Sequence, residues 1–171
     1  MVTNRDVDAI GLRPFMSGFP TGVGVVTSLD EHGEIRGTTC SSLCSVTLEP
    51  PTVLVCLRLG SRTLDAARSS GRFALNLLHG RAEEVATRFA APGSRRFDGV
   101  RWVQDQAAAG PHLIDAAQST ADCDLTYFHL VGSHAVVYGR VRRITDYTSP
   151  RPLLYGLRRF ADWAESLTAA G

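Results

Sequence analysis

Hydrophobic residues occur along this chain mainly in short runs, several of which alternate with polar residues and are bounded by glycine or proline. Such alternation predicts β-strands. The predicted strands are residues 22–29, 35–40, 52–57, 72–78, 123–131 and 134–144. Two pairs of neighbouring runs are separated by only a few residues, as in β-hairpins: the separating residues are 30–33 and Gly132-Ser133. Strands joined by turns, without regular alternation with helices, favour an antiparallel sheet over a doubly wound parallel one.

Other segments have the apolar spacing of helices, with Gly71 placed to end one of them. They are residues 5–15, 61–70, 83–90 and 153–170. Residues 92–111 show no periodicity and contain three glycines, which indicates an excursion over the surface. We therefore expect a mainly β protein, a β-barrel with short α-helices. Its core extends over about residues 12–156, with a C-terminal helix at about residues 153–170.

Length and composition indicate one ordinary globular domain. The chain has 171 residues, of which 44% are hydrophobic and 20% are charged. Its formal net charge of +1 excludes a broad basic surface for nucleic acid or anionic membranes. No apolar run approaches the roughly 20 residues of a membrane span. Because no apolar segment follows Met1, we also expect no signal peptide.

The four cysteines, at positions 40, 44, 56 and 123, have no second cysteine or histidine pair beside them, and the histidines have no metal-binding spacing. An even number of cysteines allows two disulfides. We nevertheless expect reduced, mostly buried thiols and a cytoplasmic location. Cys40 and Cys44 could form a redox pair, but packing in the core is the simpler interpretation.

One local signal for a ligand is the sequence Gly60-Ser61-Arg62-Thr63 at a predicted helix start. Ser61 is a favourable N-cap residue, because its hydroxyl can accept a hydrogen bond from a free backbone amide. Arg62 has the wrong charge for this position, since the positive end of the helix dipole disfavours a cation. A bound phosphate would reverse that cost. The alternative is an exposed arginine beside an ordinary cap.

Two further segments could bring the backbone close to a ligand. Residues 38–42 (Thr-Thr-Cys-Ser-Ser) carry small hydroxyl side chains that could donate to phosphate or carbonyl oxygens. The alternative is a solvated loop after a strand. Residues 19–23 (Phe-Pro-Thr-Gly-Val) form a second, glycine-containing approach. The glycine motif of Rossmann folds and the P-loop are both missing from the sequence, which excludes those two modes of nucleotide binding.

In combination, these segments resemble one known family. They occur in the order Phe19-Pro-Thr-Gly-Val23, residues 37–51 (Gly-Thr-Thr-Cys-Ser-Ser-Leu-Cys-Ser-Val-Thr-Leu-Glu-Pro-Pro), Ser61-Arg-Thr63, Arg72-Phe-Ala-Leu-Asn76, Arg88-Phe-Ala90, Gly132-Ser-His134 and Pro152-Leu-Leu-Tyr155. With this order, the chain from Phe15 to about Tyr155 resembles the small flavin reductases of two-component monooxygenases. These have the FMN-binding split barrel, an antiparallel, Greek-key-like fold. The resemblance implies six strands and a homodimer with the flavin near the subunit interface.

The resemblance also implies roles for individual residues. The implied cofactor-binding residues are Thr21, Thr39, Cys40, Ser41, Ser42, Ser61, Arg62, Thr63, Asn76 and Arg88. Within this set, residues 61–63 match the turn that holds the flavin phosphate. His134 matches a histidine beside the nicotinamide and is the implied catalytic residue.

The implied activity is that of an NAD(P)H:flavin oxidoreductase. Hydride would pass from NADH or NADPH to FMN or FAD, and reduced flavin would diffuse to a partner monooxygenase. This chemistry needs no general base, in keeping with the lack of a Ser/His/Asp or paired-carboxylate motif in the sequence. Two alternatives stay open: a tightly flavin-bound oxidoreductase acting on another substrate, and a non-catalytic flavin-binding module.

Three features depart from the family pattern. Ser133 stands where an aspartate usually precedes the histidine, which removes a charge that could orient the imidazole or contact the pyridine nucleotide. Leu43 replaces a large aromatic residue that would border the flavin. Residues 156–160 (Gly-Leu-Arg-Arg-Phe) replace the usual Gly-Arg-Tyr ending. The predicted C-terminal helix has no functional role in this comparison and could pack the dimer.

Overall fold

The computed structural model describes residues 9–93, 95–147 and 151–163. Within these residues the helices are α1 (Ala9–Ser17), α2 (Arg62–Ser70) and α3 (Glu83–Ala90). The strands are β1 (Thr21–Gly22), β2 (Gly24–Leu29), β3 (Ile35–Cys40), β4 (Leu43–Leu48), β5 (Pro51–Arg58), β6 (Arg72–Leu78), β7 (Ala117–Val131), β8 (His134–Asp146), β9 (Leu153–Gly156) and β10 (Arg159–Asp162). Each of the six predicted strands is present, and the fold is mainly β with antiparallel pairing as expected.

Seven strands form one sheet in the order β3-β2-β6-β7-β8-β5-β4. The two edge strands, β3 and β4, follow each other directly in the chain, with only Ser41 and Ser42 between them. Neighbouring strands lie about 4.8 Å apart, so a two-residue link cannot join the opposite edges of a flat sheet of this width. The sheet therefore has to curl into a barrel. Counted as one bent strand, β3 and β4 complete the six-stranded split barrel that the resemblance implies.

The barrel interior is filled by alternate residues of its strands and by one face of α2. Leu64 and Ala67 of α2 are buried among barrel side chains that include Phe73 and Val137. Gly71 ends α2 with a φ of 69°, a conformation that glycine adopts without steric cost, and β6 starts at the next residue.

A second core lies on the outer side of β2 and β6. Val25 faces this core, whereas Val26 faces the barrel interior, because side chains alternate between the two faces of a strand. Helix α3 covers the outer side with Ala86 and Phe89, both completely buried. Leu153 of β9 joins the same cluster and so attaches the small sheet β1-β9-β10 to the barrel.

The irregular segment between α3 and β7 is only partly the surface excursion that its sequence predicts. Residues 101–107 are exposed, but residues 108–113 are buried. The fully buried Asn76 accounts for the difference, because it donates to the Pro111 carbonyl (3.3 Å) and accepts a hydrogen bond from the Leu113 amide (2.8 Å). Buried backbone groups need such partners.

Asp122 is the charged centre of a second buried network. Its carboxylate accepts hydrogen bonds from the Ala109 amide (2.7 Å) and Arg143 Nε (2.8 Å) and is bonded to His112 Nε2 (2.9 Å). Burial alone would raise the pKa of Asp122, but these hydrogen bonds outweigh it and lower the pKa to about 2. The network ties the end of the irregular segment to β7 and β8.

The predicted C-terminal helix is wrong where the structure describes it. Residues 153–162 form the hairpin β9–β10, in which the turn residues Leu157 and Arg158 have positive φ angles of 50° and 62°. Because β9 pairs with β1 on one side and with β10 on the other, its backbone is held extended by hydrogen bonds on both edges. Residues 164–170 of that prediction lie outside the described residues, as does the start of the first predicted helix.

Other differences are smaller. The sequence pattern does not predict β4. This edge strand pairs with β5 alone, and because its residues are mostly exposed, they show no alternation of buried and exposed positions. Two cysteines, Cys40 and Cys123, are buried as expected, and burial raises the pKa of the Cys123 thiol to about 12. Cys44 is exposed and Cys56 partly exposed, contrary to expectation, because both lie on the outer barrel face. Nowhere in the described residues is a helix long and apolar enough to span a membrane.

The low pKa of Asp122 predicts an acid-sensitive stability. The carboxylate should stabilise the fold above its unfolded-state pKa of 3.8 and lose this contribution as the pH falls towards about 2. The shift corresponds to about 2 kcal/mol of unfolding free energy. In urea denaturation, Asp122→Asn should be less stable than wild type at neutral pH, and the difference should shrink between about pH 4 and pH 2. The exposed Asp98→Asn serves as the control. A difference between wild type and Asp122→Asn that does not change with pH would contradict this assignment.

Candidate functional site

Two clefts border the bent strand formed by β3 and β4. Residues 35–38 line one cleft, which we call the basic cleft, and residues 41–44 line the other, which we call the apolar cleft. Thr38 and Ser41 are three residues apart, or about 10 Å along an extended chain. One small molecule could therefore reach from one cleft into the other.

The apolar cleft has a volume of about 660 Å³. Its lining combines apolar side chains with a few hydroxyl groups and two arginines: Arg13, Met16, Ser17, Phe19, Thr21, Ser41, Ser42, Leu43, Cys44, Leu54, Cys56, Tyr155, Gly156 and Arg158. It is assembled from α1, the β9–β10 hairpin and the outer face of β4 and β5. A mostly apolar surface with a few polar groups is typical of sites for small organic molecules.

The basic cleft has a volume of about 910 Å³ and is lined by four arginines. Arg36 is neutralised, because its guanidinium donates two hydrogen bonds to Asp30 (2.8 and 3.1 Å). The other three are Arg58, Arg62 and Arg96. Within the described residues, none of these three forms an ion pair with a carboxylate. The cleft therefore carries a local positive charge that the net charge of the chain conceals.

Helix α2 begins at the basic cleft. Ser61 caps it, with an extended backbone (φ −79°, ψ 133°) and a hydroxyl that accepts a hydrogen bond from the Leu64 amide (3.3 Å). Gly60 has a φ of 73°, which lets the chain turn sharply from β5 into the helix. Ser61, Arg62 and Thr63 all line the cleft, so the positive end of the helix dipole and one guanidinium face the same space. An anion there would relieve the unfavourable position of Arg62.

Arg96 reaches the basic cleft from the irregular segment. Its guanidinium donates to the carbonyls of Gly37 (2.7 Å) and Ala91 (3.0 Å), which hold it against β3. Burial lowers the pKa of Arg96, and repulsion by Arg62 lowers it further. Two arginines close enough to repel each other, neither of them paired with a carboxylate among the described residues, form a site that an anion would stabilise.

His134 lies on the strand next to Arg58, which lines the basic cleft. It stands opposite Arg58 in the pairing of β5 with β8. Its Nδ1 shares a hydrogen bond with the Ser133 hydroxyl (3.0 Å). This hydroxyl therefore orients the imidazole, a role that an aspartate at position 133 could otherwise have. The ring is exposed and available to a ligand.

Four of the ten cofactor-binding residues implied by the resemblance lie outside both clefts. Cys40 is 5% exposed and belongs to the barrel core. Thr39 donates to the Ala86 carbonyl (2.6 Å) and so joins β3 to α3. Asn76 is 0% exposed, with its amide fully engaged by protein groups. Arg88 is exposed and donates to the Asp98 carbonyl.

Sequence reasoning missed Arg58 and Arg96. Arg58 is the last residue of β5, a strand that was predicted from its apolar residues. Its position three residues before Ser61 could have indicated that it lies near the start of α2. Arg96 lies in a segment without periodicity, and only the tertiary contact with Gly37 brings it to the cleft. Tyr155 and Arg158 were missed because the hairpin that carries them was predicted as a helix.

Comparison with known proteins decides the family. Residues 16–164 match the flavin reductase like domain. The chain belongs to the flavin reductase family. It is 45% identical over 157 residues to the flavin reductase (NADPH) of Lentzea aerocolonigenes, covering 92% of this chain and 91% of that protein. It is 32% identical over 154 residues to HsaB, a reductase subunit of a flavin-dependent monooxygenase of Mycobacterium tuberculosis, covering 89% of this chain and 81% of HsaB.

A solved flavin reductase structure has the same fold. The NADH:FAD oxidoreductase SgcE6 of Streptomyces globisporus C-1027, in complex with NAD and FAD fragments, superimposes with a TM-score of 0.82. The two sequences are 31% identical, and the alignment covers 90% of this chain and 91% of SgcE6. The split-barrel flavin reductase fold expected from the resemblance is thereby confirmed.

The basic cleft predicts binding of a phosphate group. By isothermal titration calorimetry at low salt, inorganic pyrophosphate should bind the wild-type protein, and Arg62→Ala should weaken binding about tenfold or more, the effect of losing one charge-assisted hydrogen bond. Arg101→Ala is the matched control, because Arg101 is exposed and pairs with Asp115 (3.5 Å) outside the cleft. Equal affinities for the two variants would place the anion site elsewhere.

Proposed function

We propose that this protein is an NAD(P)H:flavin oxidoreductase that supplies reduced flavin to a partner monooxygenase. The observation that supports this proposal most strongly is the position of the two clefts on either side of the bend between β3 and β4. An apolar cleft with hydroxyl groups suits a flat heteroaromatic ring, and a basic cleft about 10 Å away along the strand suits a phosphate joined to that ring by a polyol chain. FMN and the FMN half of FAD have this form.

The proposed cofactor site uses residues from both clefts. Thr21, Ser41 and Ser42 would donate hydrogen bonds to the polar edge of the ring and to the polyol. Arg62 and Arg96 would hold the phosphate beside the start of α2. Leu43 would leave more room at the ring than an aromatic side chain would.

When bound, the flavin would supply the hydride acceptor and the reduced nicotinamide the hydride, so the chemistry would belong to the cofactors. The protein would contribute proximity, by holding both rings in the apolar cleft, and would exclude water with Phe19 and Tyr155. His134, opposite Arg58 in the β5–β8 pairing, would orient the nicotinamide. No proton has to be moved by a side chain in this step.

The proposed active form is a homodimer. The outer faces of β7 and β8 expose Tyr127 (61%) and Val131 (55%), and the ring centroids of Tyr127 and Tyr138 lie 5.9 Å apart. Val46 of β4, which is separated from β8 by β5, is 46% exposed. Exposed apolar surfaces of this kind mark interaction sites. Because the same face continues through Leu54 into the apolar cleft, a second copy docked there would also cover the cleft.

The reduced flavin would leave the open cleft and reach the oxygenase by diffusion. Free thiols at all four cysteines suit the reducing cytoplasm, where we place the protein.

A steady-state assay tests the proposed function. Purified protein should consume NADH or NADPH when FMN or FAD is present in excess, measured as loss of absorbance of the reduced nicotinamide. Omitting the flavin provides the control. No turnover with any of these combinations would refute the proposal. In that case, flavin that stays bound through gel filtration would support the alternative enzyme acting on another substrate, and no flavin binding would eliminate both.

A further inference from the structure

Two arginines line the apolar cleft, in which the proposed function places the flavin ring. Arg13 belongs to α1, and Arg158 belongs to the turn of the β9–β10 hairpin. The Leu157 amide donates a hydrogen bond to the Ser17 carbonyl (2.7 Å), which ties this turn to the end of α1. Arg13 precedes Ser17 by four residues, so the two lie on one face of the helix, and both line the cleft. The fold therefore brings two guanidinium groups to the same cleft.

No negative charge of the protein balances these two arginines. Among the described residues, no carboxylate forms an ion pair with Arg13 or Arg158. No aspartate or glutamate occurs among the described residues that line the cleft. The flavin phosphate does not require these arginines, because Arg62 and Arg96 lie in the basic cleft. The proposed function therefore leaves two positive charges at the ring end of the site unused.

The backbone at Arg158 is unfavourable for an arginine. Its φ of 62° lies in the left-handed region, which glycine adopts freely and other residues adopt at a cost. Hairpin turns that need positive φ angles are usually built with glycine or asparagine. Residues held in such conformations cluster at active sites and ligand-binding segments. We therefore expect the Arg158 side chain to have a function in the cleft that it lines.

Hydride transfer changes the charge of a flavin ring. The hydride carries two electrons and one proton; the nicotinamide that loses it becomes a cation, and the neutral oxidised ring that gains it becomes an anion. Positive groups placed where negative charge develops stabilise the transition state and the product. Charge near the ring nitrogens is one means by which a protein tunes a flavin. In a mostly apolar cleft, such an attraction is screened less than in bulk water.

We propose that Arg13 and Arg158 stabilise the reduced, anionic flavin ring relative to the neutral oxidised ring, and so favour hydride transfer to the bound flavin. This inference rests on the proposed function, since it concerns the ring of the same flavin. The protein should bind reduced FMN more tightly than oxidised FMN. By linkage, the midpoint potential of bound FMN should then be higher than that of free FMN.

Substitutions at position 158 separate the charge from the backbone. Arg158→Gly removes the guanidinium and introduces a residue that suits the positive φ, so the turn is retained. It should weaken binding of reduced FMN about tenfold and leave binding of oxidised FMN unchanged, because the oxidised ring is neutral. This tenfold change would lower the midpoint potential of bound FMN by about 30 mV. Arg13→Gln should act in the same direction, and Arg158→Lys should keep most of the wild-type potential.

Anaerobic titration against a redox dye measures the midpoint potential of FMN on the purified protein. Low ionic strength is required, because both arginines are exposed and salt would screen them. Anaerobic fluorescence titration gives the separate affinities for oxidised and reduced FMN. Arg159→Ala is the matched control, since Arg159 is the adjacent exposed arginine and does not line the cleft. No nicotinamide nucleotide is present, so neither measurement depends on turnover.

Three results would overturn the inference. The first is an equal potential for bound and free FMN in wild type, or an unchanged potential in both Arg13→Gln and Arg158→Gly. The second is an equal loss of affinity for oxidised and reduced FMN, which would show that the arginines only shape the cleft. The third is a loss of affinity for ADP-ribose at an unchanged potential, since the arginines would then bind the diphosphate of the nucleotide.

Failure of the proposed function gives a different result. If FMN binds but no reduced nicotinamide is oxidised, the proposed function fails, and the potentials still decide this inference. If turnover is normal and the potentials do not change with the substitutions, only the inference fails. Absence of FMN binding would overturn both.

Discussion

The two-residue link between β3 and β4 is the constraint on which the rest of the structure depends. Because these strands are the opposite edges of a seven-stranded sheet, the link at Ser41 and Ser42 requires the sheet to close. Closure creates an interior that Phe73 and Val137 fill together with α2. It also leaves a bend where the backbone passes from one cleft to the other. The hydroxyl groups of the link therefore lie in the candidate site as a consequence of the topology.

Charge in this protein acts locally. The net charge of +1 describes a nearly neutral molecule, yet Arg58, Arg62 and Arg96 share one cleft without a carboxylate partner in the described residues. Repulsion between Arg62 and Arg96 costs stability in the absence of a ligand, and a phosphate group would convert that cost into affinity. By contrast, Arg143 and Asp122 form an ion pair with each other. Asp122 also holds the C-terminal part of the irregular segment, whose N-terminal part carries Arg96. The first group of charges serves binding, and the second serves the architecture.

Local signals in the sequence predicted the parts of the site that local physics controls. The cap at Ser61, the turn at Gly60 and the misplaced charge of Arg62 are properties of one helix start, and they hold in the structure. The arrival of Arg96 depends on a contact 59 residues away along the chain, which no periodicity encodes. The predicted C-terminal helix is wrong over residues 153–162, because the apolar spacing there resembles that of a helix, whereas pairing with β1 and between β9 and β10 decides the conformation. Family resemblance identified the fold, but it assigned Asn76 a ligand role although that side chain is occupied within the core.

The central claim is that one ligand spans the bend, with its ring in the apolar cleft and its phosphate in the basic cleft. The crystal structure of the protein with FMN tests this claim most directly. Density for the isoalloxazine ring is expected beside Thr21, Ser41 and Ser42, with the phosphate within hydrogen-bond distance of Arg62. A phosphate bound away from the start of α2, or a ring outside the apolar cleft, would contradict it.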